Sequence, residues 1–142
     1  IINILKTLNV NLNLITDGDV LGALLVADPK NKVDIFMGIG GGPEGVLAAA
    51  ALSCFNCQMQ TKLIFQNDDE KIRAKKMGIK DLDRKYNIND IIKGDVIFCA
   101  TGITDGKLVK GIENLGTKFR SETYVTHKSS KLFTTLSEDI KK

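Results

Sequence analysis

The feature that most constrains this chain is the run Gly38-Ile39-Gly40-Gly41-Gly42-Pro43-Glu44-Gly45. The residues before it, 33–39, are mostly large and apolar, which predicts a buried strand. The residues after it, 44–55, are almost all small or apolar, and a helix apolar on every side is a buried one. Between them the glycines let the backbone turn and let a ligand reach main-chain N–H groups. Pro43 suits a first helical turn, where no intrahelical N–H bond is lost. The helix start favours an anion, or a carboxylate that stays charged, so Glu44 is either a metal ligand or an ordinary helix-start acid. Gly40, Gly42 and Gly45 also fit the spacing of a dinucleotide fingerprint. Against that reading, Pro43 removes a donor where a pyrophosphate needs one, and Glu44 places a negative charge beside the same spot.

The other elements follow the same alternation. The first apolar residues, to Leu8, read as the last turns of a helix, and 11–15 as a short strand running into Thr16-Asp17-Gly18-Asp19. Residues 20–27 predict a helix stopped by Asp28-Pro29. Residues 58–65 predict a strand with one wetter face. Residues 68–77 predict a helix with acids first and bases last, closed by Gly78. Residues 96–101 predict a second buried strand, which enters the loop Gly102-Ile103-Thr104-Asp105-Gly106. Residues 122–127 and 132–136 predict two strands joined at Lys128-Ser129-Ser130, and the polar tail after Ser137 is expected to fray. Strands alternating with helices imply one layered α/β domain over 1–142, with ligands expected beyond the strand ends.

Composition narrows the function classes. The formal charge of +3 comes from scattered lysines balanced by acids, not from a basic stripe, so nucleic acid is not an expected partner. No apolar run approaches the roughly 20 residues that cross a bilayer. Three cysteines, Cys54, Cys57 and Cys99, make an odd number, which fits a reducing cytoplasm. The chain opens with Ile1-Ile2-Asn3-Ile4-Leu5 and no initiator Met, which reads as a fragment boundary.

Four further groups bear on chemistry. Asp17-Gly18-Asp19 sets two carboxylates about a glycine, able to accept bonds from sugar hydroxyls or to hold a hard cation. It is equally ordinary turn chemistry, with Asp19 as a helix cap. The stretch Ala100-Thr101-Gly102-Ile103-Thr104-Asp105-Gly106-Lys107 either touches a ligand or shapes the sheet edge. Cys54-Phe55-Asn56-Cys57 lacks a second ligand pair for zinc and falls late in a buried helix, so core packing is the expectation. His127, the only histidine, has no serine or cysteine motif to serve and reads as a strand residue.

The order and wording of three segments add a resemblance. Ile15-Thr16-Asp17-Gly18-Asp19-Val20, then 33–46 with its glycine turn, then 94–106 closely resemble the class II fructose-1,6-bisphosphatases, some of which also hydrolyse sedoheptulose-1,7-bisphosphate. The likeness runs over nearly the whole chain and weakens after about Thr126. It implies the C-terminal half of the lithium-sensitive, metal-dependent sugar phosphatase fold, whose α/β halves meet at the active site. It implies that Glu44 ligates a catalytic Mg²⁺ or Mn²⁺, that Gly41 contacts substrate through its backbone, and that Asp17, Gly18 and Asp19 bind the sugar. Thr104 and Asp105 fall in a family motif without an assigned role. The resemblance also implies gluconeogenic hydrolysis of the 1-phosphate of fructose 1,6-bisphosphate in the cytoplasm, and a homodimer or homotetramer. The remaining metal-binding acids and the main basic phosphate contacts are expected upstream of residue 1, which leaves this piece inactive alone. The rival readings are a non-catalytic sugar-phosphate-binding or regulatory module and a nucleotide-binding domain.

Overall fold

The computed structural model describes residues 1–16 and 18–142. Its helices are α1 (Ile2–Thr7), α2 (Asp19–Leu25), α3 (Gly42–Ser53), α4 (Asp68–Lys76) and α5 (Ile88–Ile91). Its strands are β1 (Gln60–Lys62), β2 (Lys85–Asn87), β3 (Ile97–Thr101), β4 (Glu113–Asn114), β5 (Lys118–His127) and β6 (Leu132–Lys141). The mixed α/β class is as expected, and every strand pairing among the described residues is antiparallel.

β5 is the hub of the larger sheet. It pairs with β6 along its whole length, from Lys118↔Lys141 to His127↔Leu132. Its last five residues pair with β3, from Ile97↔His127 to Thr101↔Thr123, and β4 pairs near its start. The expected hairpin is present but longer than its apolar pattern suggests. The tail does not fray: Arg120 lies directly opposite Asp139 and donates to its carboxylate at 2.8 Å, a cross-strand pair that holds the polar end in register.

The core forms where α2 and α3 pack on each other and on this sheet. Ala23, Ala48, Leu52 and Ile88 make one buried cluster, and Leu24, Ala51 and Phe98 make a second. Alanines dominate the helix contact because small side chains let two helix backbones approach closely. Ala49 and Ala51 are 0% exposed. The helix is not buried all round as predicted, since Val46 and Leu47 on its other side are about half exposed.

Two predicted strands are absent from the described sheets. Residues 33–39 form no helix and join no ladder among the described residues. Val33 and Phe36 are half-buried, with the Phe36 ring pressed on Gly22 of α2, while Ile35, Met37 and Ile39 face out, Ile39 at 81% exposure. An apolar run reads as a strand buried on both faces, but here only one face meets packing partners. Residues 11–15 likewise pair with nothing among the described residues, although the Ile15 side chain joins Phe36 against Gly22. The strand predicted over 58–65 shortens to β1, paired with β2 in a two-stranded ribbon.

Helix ends follow their sequence signals. α4 starts at Asn67, whose side chain accepts from the Glu70 amide at 2.9 Å, and ends before Gly78 at φ +96°. α2 ends sooner than predicted and gives way to a 3₁₀ turn, Pro29–Asn31, capped by Asp28.

Candidate functional site

α2 and α3 each begin with an acid. Gly18, at φ +87°, occupies the N-cap of α2, a left-handed conformation that glycine adopts freely. Asp19 follows in the first turn of α2, and Glu44 in the first turn of α3. Carboxylates are favoured at both places by the helix dipole.

The two side chains converge on the glycine turn. The Asp19 carboxylate lies where a Cβ on Gly40 would stand, and the Glu44 carboxylate lies where a Cβ on Gly41 would stand. Gly40 and Gly41 are consecutive, with Cα atoms about 3.8 Å apart, so both acids border one turn. Any larger residue at either position would drive its Cβ into a carboxylate. Glu44 is exposed but folds back over Gly41 instead of extending into solvent. Neither carboxylate has a hydrogen-bond or ion-pair partner among the described residues. Asp17, expected beside Asp19, lies outside the described residues.

The threonine-rich loop behaves differently. Asp105 accepts from the Gly111 amide at 2.9 Å, the Gly106 amide donates to the Val109 carbonyl at 3.0 Å, and the Ile112 amide donates to the Ile103 carbonyl at 3.2 Å. Its carboxylate therefore staples the loop shut. Thr104 lines an apolar cavity of about 230 Å³ with Val20, Leu21 and Leu24 of α2 and Phe98 of β3. The loop thus reaches α2 just beyond Asp19, through apolar contact and not through a charge.

The Cys54–Cys57 segment packs as the sequence suggests, with Cys57 against the first core cluster. Cys54 is buried, and burial pushes the Cys57 thiol up from its ordinary range, which disfavours the reactive thiolate.

His127 is more than an ordinary strand residue. Its Nε2 lies 2.8 Å from Asp95 Oδ2 and its Nδ1 lies 2.7 Å from Ser130 Oγ. Ser129 donates to the same carboxylate through its hydroxyl at 2.6 Å and its amide at 3.0 Å. The Ser129 hydroxyl, then the His127 ring, then the Val96 and Ser129 amides hold the Asp95 carboxyl well below the usual carboxylate range. The register Ile97↔His127 brings the start of β3 to the hairpin turn. The polar pair Gly94-Asp95 ahead of a strand and the serines after His127 are the sequence signals, legible only once that pairing is known.

The comparisons with known proteins bear on the glycine turn. A family model described as bacterial fructose-1,6-bisphosphatase, glpX-encoded, matches residues 1–139. The D-fructose 1,6-bisphosphatase class 2/sedoheptulose 1,7-bisphosphatase of Synechococcus sp. (strain JA-3-3Ab) is 38% identical over 133 residues, taking in 83% of this chain and 38% of that protein. The fructose-1,6-bisphosphatase class 2 of Haemophilus influenzae (strain ATCC 51907 / DSM 11121 / KW20 / Rd) is 37% identical over 131 residues, 82% of this chain and 39% of that protein. The chain therefore spans well under half the length of these curated relatives. With the family match running through the acid-flanked turn and on to residue 139, this chain belongs to the glpX-encoded family of bacterial fructose-1,6-bisphosphatases.

Proposed function

We propose that the full-length protein is a metal-dependent phosphatase that hydrolyses the 1-phosphate of fructose 1,6-bisphosphate, giving fructose 6-phosphate and inorganic phosphate. The observation that carries this reading is the convergence of Asp19 and Glu44 on Gly40 and Gly41, two unpartnered carboxylates at a turn bare of side chains. The names of the relatives supply the substrate, and the seven-carbon bisphosphate in one of them is the second to try.

The donor set fits Mg²⁺ or Mn²⁺, because hard cations take carboxylate oxygens. Glu44 would hold the cation, and Asp19, with its neighbours Asp17 and Gly18, would bind the sugar hydroxyls. When bound, such a cation lowers the pKa of a water nucleophile and neutralises charge on the phosphoryl oxygens. Gly40 and Gly41 admit the substrate to main-chain contact, Gly41 through its backbone. Glu44 stands in the first turn of α3, where the helix dipole favours a negative charge.

This chain supplies only part of the site. Among the described residues no group of three or more His, Cys, Asp or Glu side chains gathers to hold a metal. We read residues 1–142 as a single sugar-binding, part-metal-binding domain, with the remaining ligands supplied by sequence of the kind the longer relatives carry. We place the enzyme in the cytoplasm, a reading supported by three free cysteines, as a dimer or tetramer.

The test is phosphate release from fructose 1,6-bisphosphate by the full-length protein, with and without Mn²⁺ or Mg²⁺, in wild type and Glu44→Ala. A metal-ligating role predicts a loss of at least about a hundredfold, beyond the roughly 10- to 100-fold cost of disturbing a ligand's support. Undiminished metal-dependent turnover would remove Glu44 from the site. Sugar-phosphate binding without turnover would favour a regulatory module instead.

A further inference from the structure

At the end of α3 remote from Glu44 lies an open cleft of about 560 Å³, a size typical of small-molecule sites. The helix end and the residues after it contribute Asn56, Gln58 and Gln60, the junction of β2 and α5 contributes Asn87 and Asn89, and the β5–β6 turn contributes Lys128. Its polar side chains are carboxamides, a serine hydroxyl and one ammonium, and among the described residues no carboxylate lines it.

That combination selects a ligand. A carboxamide donates and accepts at once, and so does a hydroxyl, so a wall of amides suits a polyol. An ammonium only donates, and its charge-assisted bonds go to an anion. With no acid in the lining, nothing there opposes a negative charge.

The charge is also held in place. The Lys128 amide donates to the Val96 carbonyl at 2.9 Å, and its ammonium makes one long bond, 3.4 Å, to the Gly94 carbonyl. The adjoining turn is tied down by the bonds from His127 and Ser129 to Asp95. The Asn87 backbone is fixed by its amide, which donates to Asp90 Oδ2 at 2.9 Å, and its carboxamide can both donate and accept. A lysine whose backbone is already fixed loses less freedom on binding.

We propose that this cleft is a second ligand site, separate from the glycine turn, which binds a small hydroxyl-rich organic anion through Lys128 and the surrounding carboxamides.

The probe is D-gluconate, a carboxylate bearing a chain of hydroxyls, with acetate and sorbitol as controls that carry the charge or the hydroxyls alone. Hydrogen exchange read by mass spectrometry on the full-length protein should show saturable protection by gluconate in peptides covering 56–60 and 87–93. Acetate and sorbitol at equal concentration should protect far less. In calorimetric titration, Lys128→Met should weaken gluconate binding about tenfold, the effect of losing one charge-assisted hydrogen bond. Asn89→Asp, which adds a negative charge to an exposed rim position, should weaken it in the same direction. Glu44→Gln should leave it unchanged, so the outcome does not depend on the phosphatase reading. Absence of protection overturns the proposal. So does protection centred on 40–44 and lost in Glu44→Gln, or gluconate affinity indifferent to both Lys128→Met and Asn89→Asp.

Discussion

At the glycine turn, Asp19 and Glu44 stand without hydrogen-bond partners among the described residues, while at the far end of β3 the single carboxylate of Asp95 accepts four hydrogen bonds. The first pair leaves its oxygen lone pairs unspent. The second has spent them on a serine, a histidine and two amides, and so ties a hairpin turn to the strand it flanks. A carboxylate's role follows from which of these states it is in, not from the residues that precede it in sequence. Both acids follow a glycine, Gly18-Asp19 and Gly94-Asp95, yet only one remains available.

The comparison can be broken in several ways. The largest expected effect tests the packing both regions share. Phe98→Ala removes a buried ring between Leu24 and Ala51 and should cost about 3–5 kcal/mol of folding stability by denaturant titration. A much smaller loss would mean that the sheet and the helix pair are not one cooperative core. Next, Gly41→Ala should leave the fold intact by circular dichroism while phosphate release falls about a hundredfold, equivalent to about 2.7 kcal/mol. The added methyl displaces the Glu44 carboxylate, whereas a spectator glycine would tolerate it.

The smallest effect separates the two acids by pH. Asp95 has its carboxyl depressed in the folded state, so its stabilising contribution is present above the ordinary carboxylate pKa of about 3.9 and is lost as pH falls below it. Asp95→Asn should therefore lower the melting temperature at pH 7, and the gap to wild type should shrink as pH falls from about 5 towards 3. A gap that stays constant through that range would show that Asp95 acts through shape and not through charge.

The glycine turn was legible because its residues are contiguous and each has a distinct physical job: glycines for approach, Pro43 for a helix start, Glu44 for the first turn. Helices α3 and α4 and the hairpin were legible for similar reasons of period and capping. The strands at 11–15 and 33–39 were not, since apolar content shows that a segment wants burial without showing what will cover it. The Asp95–His127 network was hidden because Asp95 and Ser129 sit 34 positions apart and meet only through the β3–β5 register. Thr104 and Asp105 looked alike in sequence, yet one lines an apolar cavity and the other closes a loop.

The alanines between α2 and α3 have an effect beyond filling space. Asp19 opens one helix and Glu44 opens the other, so the gap between their carboxylates is gauged by how closely the two helices nest, Ala23 against Ala48 and Leu24 against Ala51. A single methyl added in that seam would wedge the axes apart and widen the jaws at the glycine turn, several residues away. The spacing of the two acids at the glycine turn is therefore set by side chains that touch neither carboxylate.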